Sequence, residues 1–187
     1  EILAIREESD CTFSEYEINE VNTGICIIDN ELLFKYIERL SVDNNRHLFY
    51  LSELVQLFIQ DNYHVGVFVA EEMKEVYSIN NRVQLAYAAK IMRRRINQRL
   101  MLSGVSIEDI DSAYISPDVE IGQDTVIRSN TTILGKSKIG EACSIGPNTI
   151  LNNVEVGNEA EIISSNLDGV KVENSAKVGP FVEKHGK

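Results

Sequence analysis

Aliphatic residues recur every six positions through the C-terminal part of the chain. A six-residue period fits neither a helix nor a simple strand alternation, and it is typical of the hexapeptide coils of a parallel β-helix. Three hexads would make one triangular turn of 18 residues, with each aliphatic side chain stacked on its copy in the next turn. The unbroken run, the two later pairs and the residue between them are Ile115, Ile121, Ile127, Ile133, Ile139, Ile145 and Leu151, Val156 with Ile162, Val172 with Val178, and Leu167.

The span of these residues predicts three to four coils over residues 115–178, within a β-helix domain at 105–187. Glycine directly follows five of the aliphatic positions, at 122, 140, 146, 157 and 179. We expect these glycines to form coil corners with a positive φ. A solenoid this short needs covered ends.

A helix with one apolar stripe is predicted over residues 82–104. The stripe steps by four, three, four and four positions through Leu85, Ala89, Met92, Ile96 and Leu100, which is helical spacing. Gly104 can end the helix.

Residues 1–81 have an α/β pattern. Apolar, strand-length runs at residues 21–28 and 65–69 alternate with two helical patterns, for which Asp29 and Ser52 are candidate caps. Such alternation favours a sheet covered by helices. Because few strands are present in about 80 residues, we expect the back part of a larger domain, of marginal stability alone.

The charge changes from one segment to the next. The 187 residues carry a net charge of −11, and the three segments 1–81, 82–104 and 105–187 carry −11, +6 and −6. The overall charge disfavours generic nucleic-acid binding. The basic helix, with Arg93, Arg94, Arg95 and Arg99, is interpreted first as a solvated face that pairs with the acidic segments. An anion or RNA site is the alternative.

Few residues suggest chemistry by their spacing alone. Cys11, Cys26 and Cys143 are odd in number and favour free thiols in a reducing cytosol. The three histidines share no ligand spacing with them. The chain has no run long enough to span a membrane. It opens with Glu1 and no leader pattern, so we expect a processed chain or a piece of a longer one.

The order of α/β segment, basic helix and hexapeptide coils resembles the bacterial bifunctional N-acetylglucosamine-1-phosphate uridyltransferases / glucosamine-1-phosphate N-acetyltransferases. Short motifs carry the same resemblance. Asn22-Thr23-Gly24 is similar to that family's E-x-N-T-G-I, residues 79–85 (INNRVQL) to its G-V-N-x-R-x-Q-L, and residues 91–105 (IMRRRINQRLMLSGV) to its linker helix in Gram-positive form. Residues 145–149 (IGPNT) and 178–181 (VGPF) are similar to its coil motifs.

The resemblance implies an α/β nucleotidyltransferase section at 1–81, a linker helix and a left-handed parallel β-helix. It implies that Glu7 and Asn22 contact the N-acetylglucosamine moiety and that Asn80 is one of two protein ligands to Mg²⁺. It further implies UTP, N-acetylglucosamine-1-phosphate and acetyl-CoA as substrates of the whole enzyme, a cytoplasmic location and a homotrimer formed through the coils. Without it, Glu7 is a solvated acid, and Asn22 and Asn80 are turn or strand-end residues.

The chain departs from the family pattern at several points. The family's glycine-rich nucleotide loop and second Mg²⁺ ligand would precede Glu1, and its acetyltransferase residues would follow the last coil. Residues 44–50 (NNRHLFY) replace the family's N-A-Q-G-E-Y-Y, and Ser78 replaces a glycine. We therefore expect a middle section with neither active site complete. Two alternatives stay open: a non-catalytic oligomerisation or regulatory module derived from that enzyme, and another nucleotidyltransferase that forms ADP- or dTDP-sugars.

Overall fold

The computed structural model describes residues 2–6, 11–40 and 49–186. The chain divides into two compact units, Glu1–Ser78 and Ile79–Lys187. Glu7 and the altered residues 44–48 lie outside the described residues, so the predictions made for them stay predictions.

The first unit is built on two short helices, α1 (Asn30–Ile37) and α2 (Glu53–Gln60). Asp29 caps α1 as predicted, since its carboxylate accepts hydrogen bonds from the backbone N–H groups of Glu31 and Leu32. Tyr36, Leu54 and Phe58 form a small buried core between the helices. Two single 3-10 turns, Glu15–Glu17 and Met73–Glu75, complete the regular structure described here.

The predicted strands at residues 21–28 and 65–69 do not form, and this part of the prediction is wrong. Both segments lie outside every strand of the structure. The exposed fractions of Ile27 and Phe68 are 102% and 93%. A strand is stable only when its backbone N–H and C=O groups pair with a neighbouring strand. Within the described residues of this unit, neither segment has such a neighbour.

The second unit opens with a long helix, α3 (Arg82–Leu102). Asn81 and Gln84 form a reciprocal capping box at its start. Gly104 follows its last turn with a φ of 99°, as predicted for a helix end. The apolar stripe is only half buried. Ile96 and Leu100 pack into the solenoid core, whereas Leu85 and Met92 are 54% and 52% exposed.

The rest of the second unit is a parallel β-solenoid of about five turns, which confirms the hexapeptide prediction. Its strands form three parallel sheets, ordered β1-β4-β7-β10-β13, β14-β11-β8-β5-β2 and β12-β9-β6-β3. The strands are β1 (Ser106–Ile107), β2 (Tyr114–Ile115), β3 (Glu120–Ile121), β4 (Val126–Ile127), β5 (Thr132–Leu134), β6 (Lys138–Ile139), β7 (Ser144–Ile145), β8 (Ile150–Asn152), β9 (Glu155–Val156), β10 (Glu161–Ile162), β11 (Asn166–Asp168), β12 (Lys171–Val172), β13 (Lys177–Val178) and β14 (Glu183–His185). The predicted number of three to four coils is wrong, because the strands extend beyond residues 115–178 at both ends, from Ser106 to His185.

The aliphatic residues stack as the pattern predicts. Ile133 pairs with Ile115 on one side and Leu151 on the other, each 18 positions away, and Leu151 pairs with Leu167, 16 positions further on. The later turns are shorter because five-residue steps replace six-residue steps there. Ile133, Leu151 and Leu167 are almost completely buried in one continuous core.

The glycines have a different role from the predicted one at three of the five sites. Gly146 and Gly179 have φ values of 104° and 105°. Gly122, Gly140 and Gly157 do not adopt a positive φ, and a Cβ on any of them would lie 2.7 Å from backbone atoms of the next coil. Close approach of successive coils therefore requires glycine there. Most positive-φ positions of the solenoid are occupied by other residues: Asp124, Asn130, Ala142, Asn148, Asn153, Glu159, Ser164, Ser175 and Phe181.

Candidate functional site

Asn22, the predicted sugar-binding residue, lies in an exposed turn of the first unit. Its side-chain Oδ1 accepts a hydrogen bond of 3.1 Å from the backbone N–H of Gly24. The Thr23 hydroxyl accepts another, of 3.3 Å, from the N–H of Ile25. The Asn-Thr-Gly motif thus forms a local turn of the kind that asparagine favours. This contact is the one expected of a turn residue, and a sugar contact stays a prediction.

Asn80, the predicted magnesium ligand, lies immediately before α3 in the second unit. Its backbone N–H donates a 2.7 Å hydrogen bond to the Oε1 of Gln84, which also accepts from the N–H of Asn81. The backbone of Asn80 is therefore held by the first turn of α3, while its side chain stays exposed. An amide oxygen in this position is accessible to a ligand.

The described residues do not by themselves fit a magnesium site. Magnesium is held in proteins by oxygen ligands, usually with one or two carboxylates among them. No group of three or more His, Cys, Asp or Glu side chains within residues 2–6, 11–40 and 49–186 could hold a metal ion. Asn80 offers a single neutral amide oxygen, which is too little for a site.

The arginine run of α3 mainly attaches the helix to the first coil. Arg94 forms two hydrogen bonds, of 2.8 and 2.7 Å, with the two carboxylate oxygens of Asp111. Arg99 donates to the carbonyl oxygen of Pro117 at 2.8 Å, and the Arg93 guanidinium lies 4.3 Å from the centre of the Tyr114 ring. This geometry favours the first interpretation of the run, a face engaged within the chain, over an anion or RNA site.

The Arg94–Asp111 pair has an electrostatic consequence. The hydrogen bonds from Arg94 lower the pKa of the Asp111 carboxyl below its usual value, and the same partner raises the pKa of Arg94. Both side chains stay charged at neutral pH. The pair therefore holds the helix and offers neither an acid nor a base for catalysis.

Asn97 is a buried residue whose role the motif comparison did not indicate. It lies between Ile96 and the arginine-rich face and is 0% exposed. Its side-chain Nδ2 donates to the carbonyl oxygens of Ile110 and Ala113, at 2.9 and 3.0 Å. These bonds satisfy two backbone acceptors of the first coil. In the sequence, the only indication that Asn97 is buried was its position on the helix, next to the apolar stripe.

A second polar cluster holds the first unit together. The Tyr36 hydroxyl donates to Asp61 Oδ2 at 2.5 Å, and Arg39 Nη1 lies at the same distance from that oxygen. The hydrogen bond to Asp61 raises the pKa of Tyr36 to about 12, and Arg39 lowers the pKa of Asp61. The phenol keeps its proton and the carboxylate its charge at neutral pH, so the cluster joins α1 to the end of α2.

A shallow groove lies on the outside of the last coils. Its lining consists of uncharged polar side chains, three apolar side chains and one carboxylate: Asn148, Ile150, Ser164, Ser165, Asn166, Phe181, Val182 and Glu183. The hydroxyls of Ser164 and Ser165 donate to the backbone carbonyl oxygens of Pro147 and Ile163, so neither hydroxyl is hydrogen-bonded to the Glu183 carboxylate. Cys143 lies elsewhere, buried in the solenoid core, and Cys26 is exposed; both are free thiols.

Comparisons with known proteins give a consistent result. The chain is 39% identical over 180 residues to the bifunctional protein GlmU of Caldanaerobacter subterraneus, and 37% and 40% identical over 179 residues to those of Lactobacillus johnsonii and Syntrophomonas wolfei. The chain is similar to one section of the bifunctional GlmU proteins. Each match covers 96% of this chain but only 39–40% of the relative. This coverage is consistent with a middle or C-terminal section of a GlmU protein.

These GlmU relatives confirm the resemblance drawn from the motifs. The search with protein-family models found no match. Among solved structures, a perosamine N-acetyltransferase from Caulobacter crescentus is 14% identical, with a TM-score of 0.31, over 50% of this chain and 62% of its own. That likeness carries no weight, and the fold rests on the strand pairing. No helix in the described residues is long and apolar enough to span a membrane.

Proposed function

We propose that this chain is a section of a bacterial bifunctional enzyme that forms UDP-N-acetylglucosamine from UTP and N-acetylglucosamine-1-phosphate. The whole enzyme would also acetylate glucosamine-1-phosphate with acetyl-CoA. The observation that carries the proposal is the similarity to GlmU proteins over 96% of the chain, combined with the parallel β-solenoid. The chain spans about two fifths of the length of these relatives.

In this proposal Glu7 and Asn22 bind the N-acetylglucosamine moiety, and Asn80 supplies an amide oxygen to Mg²⁺. A bound Mg²⁺ would neutralise charge on the phosphates. The exposed side chain of Asn80, on a backbone fixed by Gln84, supports a ligand role. One amide oxygen is too little for the metal, so we propose that the chain alone does not catalyse uridyl transfer.

A second candidate is a non-catalytic oligomerisation module derived from the same enzyme, with the solenoid as its trimerisation element. One observation favours it. The solenoid has a continuous buried core, and neither Asn22 nor Asn80 belongs to that core. A pure scaffold should not bind a sugar nucleotide.

Two measurements on the 187-residue chain test the proposal. Pyrophosphate release with UTP, N-acetylglucosamine-1-phosphate and Mg²⁺ should not exceed a blank without protein. Titration calorimetry should nevertheless detect UDP-N-acetylglucosamine, with weaker binding in Asn22→Ala and Asn80→Ala. Asn19→Ala and Gln98→Ala are matched controls, because both are exposed polar residues outside the proposed site, and they should bind like the unaltered chain.

The other outcomes discriminate clearly. Turnover that Asn80→Ala abolishes would show that the residues present suffice for the chemistry. If the chain did not bind a sugar nucleotide, the non-catalytic oligomerisation module would be the better-supported candidate. Displacement of UDP-N-acetylglucosamine by ADP- or dTDP-sugars at equal concentration would favour another nucleotidyltransferase.

A further inference from the structure

Two buried polar atoms of α3 have complementary hydrogen-bonding groups. The Nε–H of Arg93 is a donor, and the Oδ1 of Asn97 is an acceptor. Both atoms are buried, and neither has a hydrogen-bond partner among the described residues. Asn97 as a whole is 0% exposed. Most buried polar groups of folded proteins are hydrogen-bonded to protein or to ordered water, so each of these atoms requires a partner.

The two residues lie on successive turns of the same helix face. Residues four positions apart are neighbours on a helix surface, and both side chains contact one short segment of the first coil. Asn97 Nδ2 donates to the carbonyl oxygens of Ile110 and Ala113, at 2.9 and 3.0 Å. The Arg93 guanidinium lies 4.3 Å from the centre of the Tyr114 ring. The donor and the acceptor therefore lie at one junction between α3 and the coil.

The orientation of the Asn97 amide is fixed by its contacts. The carbonyl oxygens of Ile110 and Ala113 can only accept hydrogen bonds, so the Nδ2 group must face them. A flipped amide would bring its oxygen against two acceptors and would lose both bonds. The Oδ1 of Asn97 is therefore an acceptor that the carbonyls of the coil cannot satisfy.

The carboxylate at this junction is already engaged elsewhere. Asp111 accepts two hydrogen bonds from Arg94, one at each of its oxygens, and it does not accept from Arg93 Nε. The Arg93 guanidinium instead makes a cation–π contact with Tyr114. The Nε–H of Arg93 thus has no carboxylate to bind.

The chemistry of the two atoms determines which ligand fits between them. A cation would be repelled by the Arg93 guanidinium, and an anion by the lone pairs of Asn97 Oδ1. A water molecule accepts from the Nε–H through its oxygen and donates to Oδ1 through one hydrogen, so it satisfies both. Buried waters in proteins typically make two to four such bonds. Arg93 is half-buried, so the junction lies close to the surface and water can enter it.

We propose that one ordered water molecule binds between Arg93 Nε and Asn97 Oδ1 and helps to join α3 to the first coil. The water connects the arginine that contacts Tyr114 to the amide that binds Ile110 and Ala113. A single hydrogen-bonded network then links two turns of the helix to the coil. This inference goes beyond the proposed function and does not depend on it.

A crystal structure of the 187-residue chain tests the proposal directly. One water oxygen should lie within about 2.7–3.2 Å of both Arg93 Nε and Asn97 Oδ1. Nuclear magnetic resonance gives a second readout in solution. In a rotating-frame experiment, the Arg93 Nε proton should show a dipolar cross-peak with water, whose sign is opposite to that of a cross-peak from chemical exchange.

The substitution Arg93→Lys removes the proposed contact with little change elsewhere. A lysine places a methylene at the position of Nε and keeps a positive charge next to Tyr114. The water should then be absent, and the equilibrium constant of unfolding in urea should rise roughly threefold to tenfold, the effect of losing one hydrogen bond. Arg95→Lys is the matched control, because Arg95 is exposed on the same helix, and it should change that constant by less than about twofold.

Three results would overturn the inference. The first is a direct hydrogen bond between Arg93 Nε and Asn97 Oδ1, which would leave no position for the water. The second is a crystal structure in which no water contacts both atoms, together with the absence of the dipolar cross-peak. The third is an equal effect of Arg93→Lys and Arg95→Lys on unfolding. None of these readouts depends on sugar-nucleotide binding, so the proposed function stands or fails separately.

Discussion

At the scale of single residues, the polar contacts of α3 fix the helix to the first coil. Arg94 binds Asp111, Arg99 binds a backbone carbonyl, and the buried amide of Asn97 binds two more. The sequence predicted a basic helix whose charges pair with acidic segments, and Arg94 confirms that reading. It could not predict that Asn97 would be buried, because polar residues beside an apolar stripe are usually exposed.

Replacing Asn97 should destabilise the second unit. Asn97→Ala removes both side-chain hydrogen bonds and leaves the part-buried carbonyl of Ile110 and the buried carbonyl of Ala113 without that donor. We expect a loss of about 1–3 kcal/mol in the free energy of unfolding, measured by urea denaturation. The neighbouring exposed Gln98→Ala is the control and should change it by less than about 0.5 kcal/mol. Equal effects of the two variants would contradict this role.

The Arg94–Asp111 pair should make the second unit sensitive to acid. The pKa of Asp111 is lowered in the folded chain, so its contribution is complete above the unfolded pKa and is lost as pH falls through the folded pKa. Asp111→Asn should thus be less stable than the unaltered chain at pH 7. The difference should narrow as the pH falls below about 4, as followed by urea denaturation at each pH. If the stability difference between Asp111→Asn and the unaltered chain did not change with pH, the Arg94–Asp111 ion pair would not be its cause.

At the scale of elements, the repeat length determines how successive coils meet. Each hexad contributes a two- or three-residue strand, and the register aligns Ile115, Ile133 and Leu151 in one column. The glycines that follow the aliphatic positions were expected at positive-φ corners. Only the tertiary structure showed that Gly122, Gly140 and Gly157 are needed for backbone approach, since contact between coils is invisible in a single hexad.

The two roles of glycine can be separated by substitution. Gly140→Ala would place a Cβ 2.7 Å from the backbone nitrogen of Asn158, and we expect a destabilisation of about 1–3 kcal/mol. Gly169→Ala meets nothing nearer than 3.9 Å but has a φ of 62°, so only backbone strain of about 1–2 kcal/mol applies. Thermal unfolding of both variants measures the difference. A larger loss for Gly169→Ala would contradict the close-packing role.

At the scale of the whole molecule, two compact units have separate cores of very different size. The solenoid core runs through all its coils, whereas the first unit buries three aromatic or aliphatic side chains between two helices. The marginal stability expected for residues 1–81 alone stays a prediction.

Core substitutions should act within their own unit. Leu54→Ala and Ile133→Ala each remove a completely buried side chain, at an expected cost of about 2–5 kcal/mol. Hydrogen exchange should quicken in α1 and α2 for Leu54→Ala and in the coils for Ile133→Ala. Faster exchange in the coils of Leu54→Ala would show that the two cores are coupled.

The solenoid, α3 and the helix ends at Asp29 and Gly104 could be predicted from local sequence patterns alone. These features are encoded in short-range patterns, and in the solenoid the repeat itself brings distant residues into register. Contacts between residues distant in sequence settle which half of α3 is buried and why Gly140 must be glycine. They also leave residues 21–28 and 65–69 without a strand partner among the described residues. A helix forms its hydrogen bonds within its own segment, and each hexad packs against a similar hexad one coil away in sequence. An isolated strand, in contrast, depends on a partner strand that no local pattern specifies.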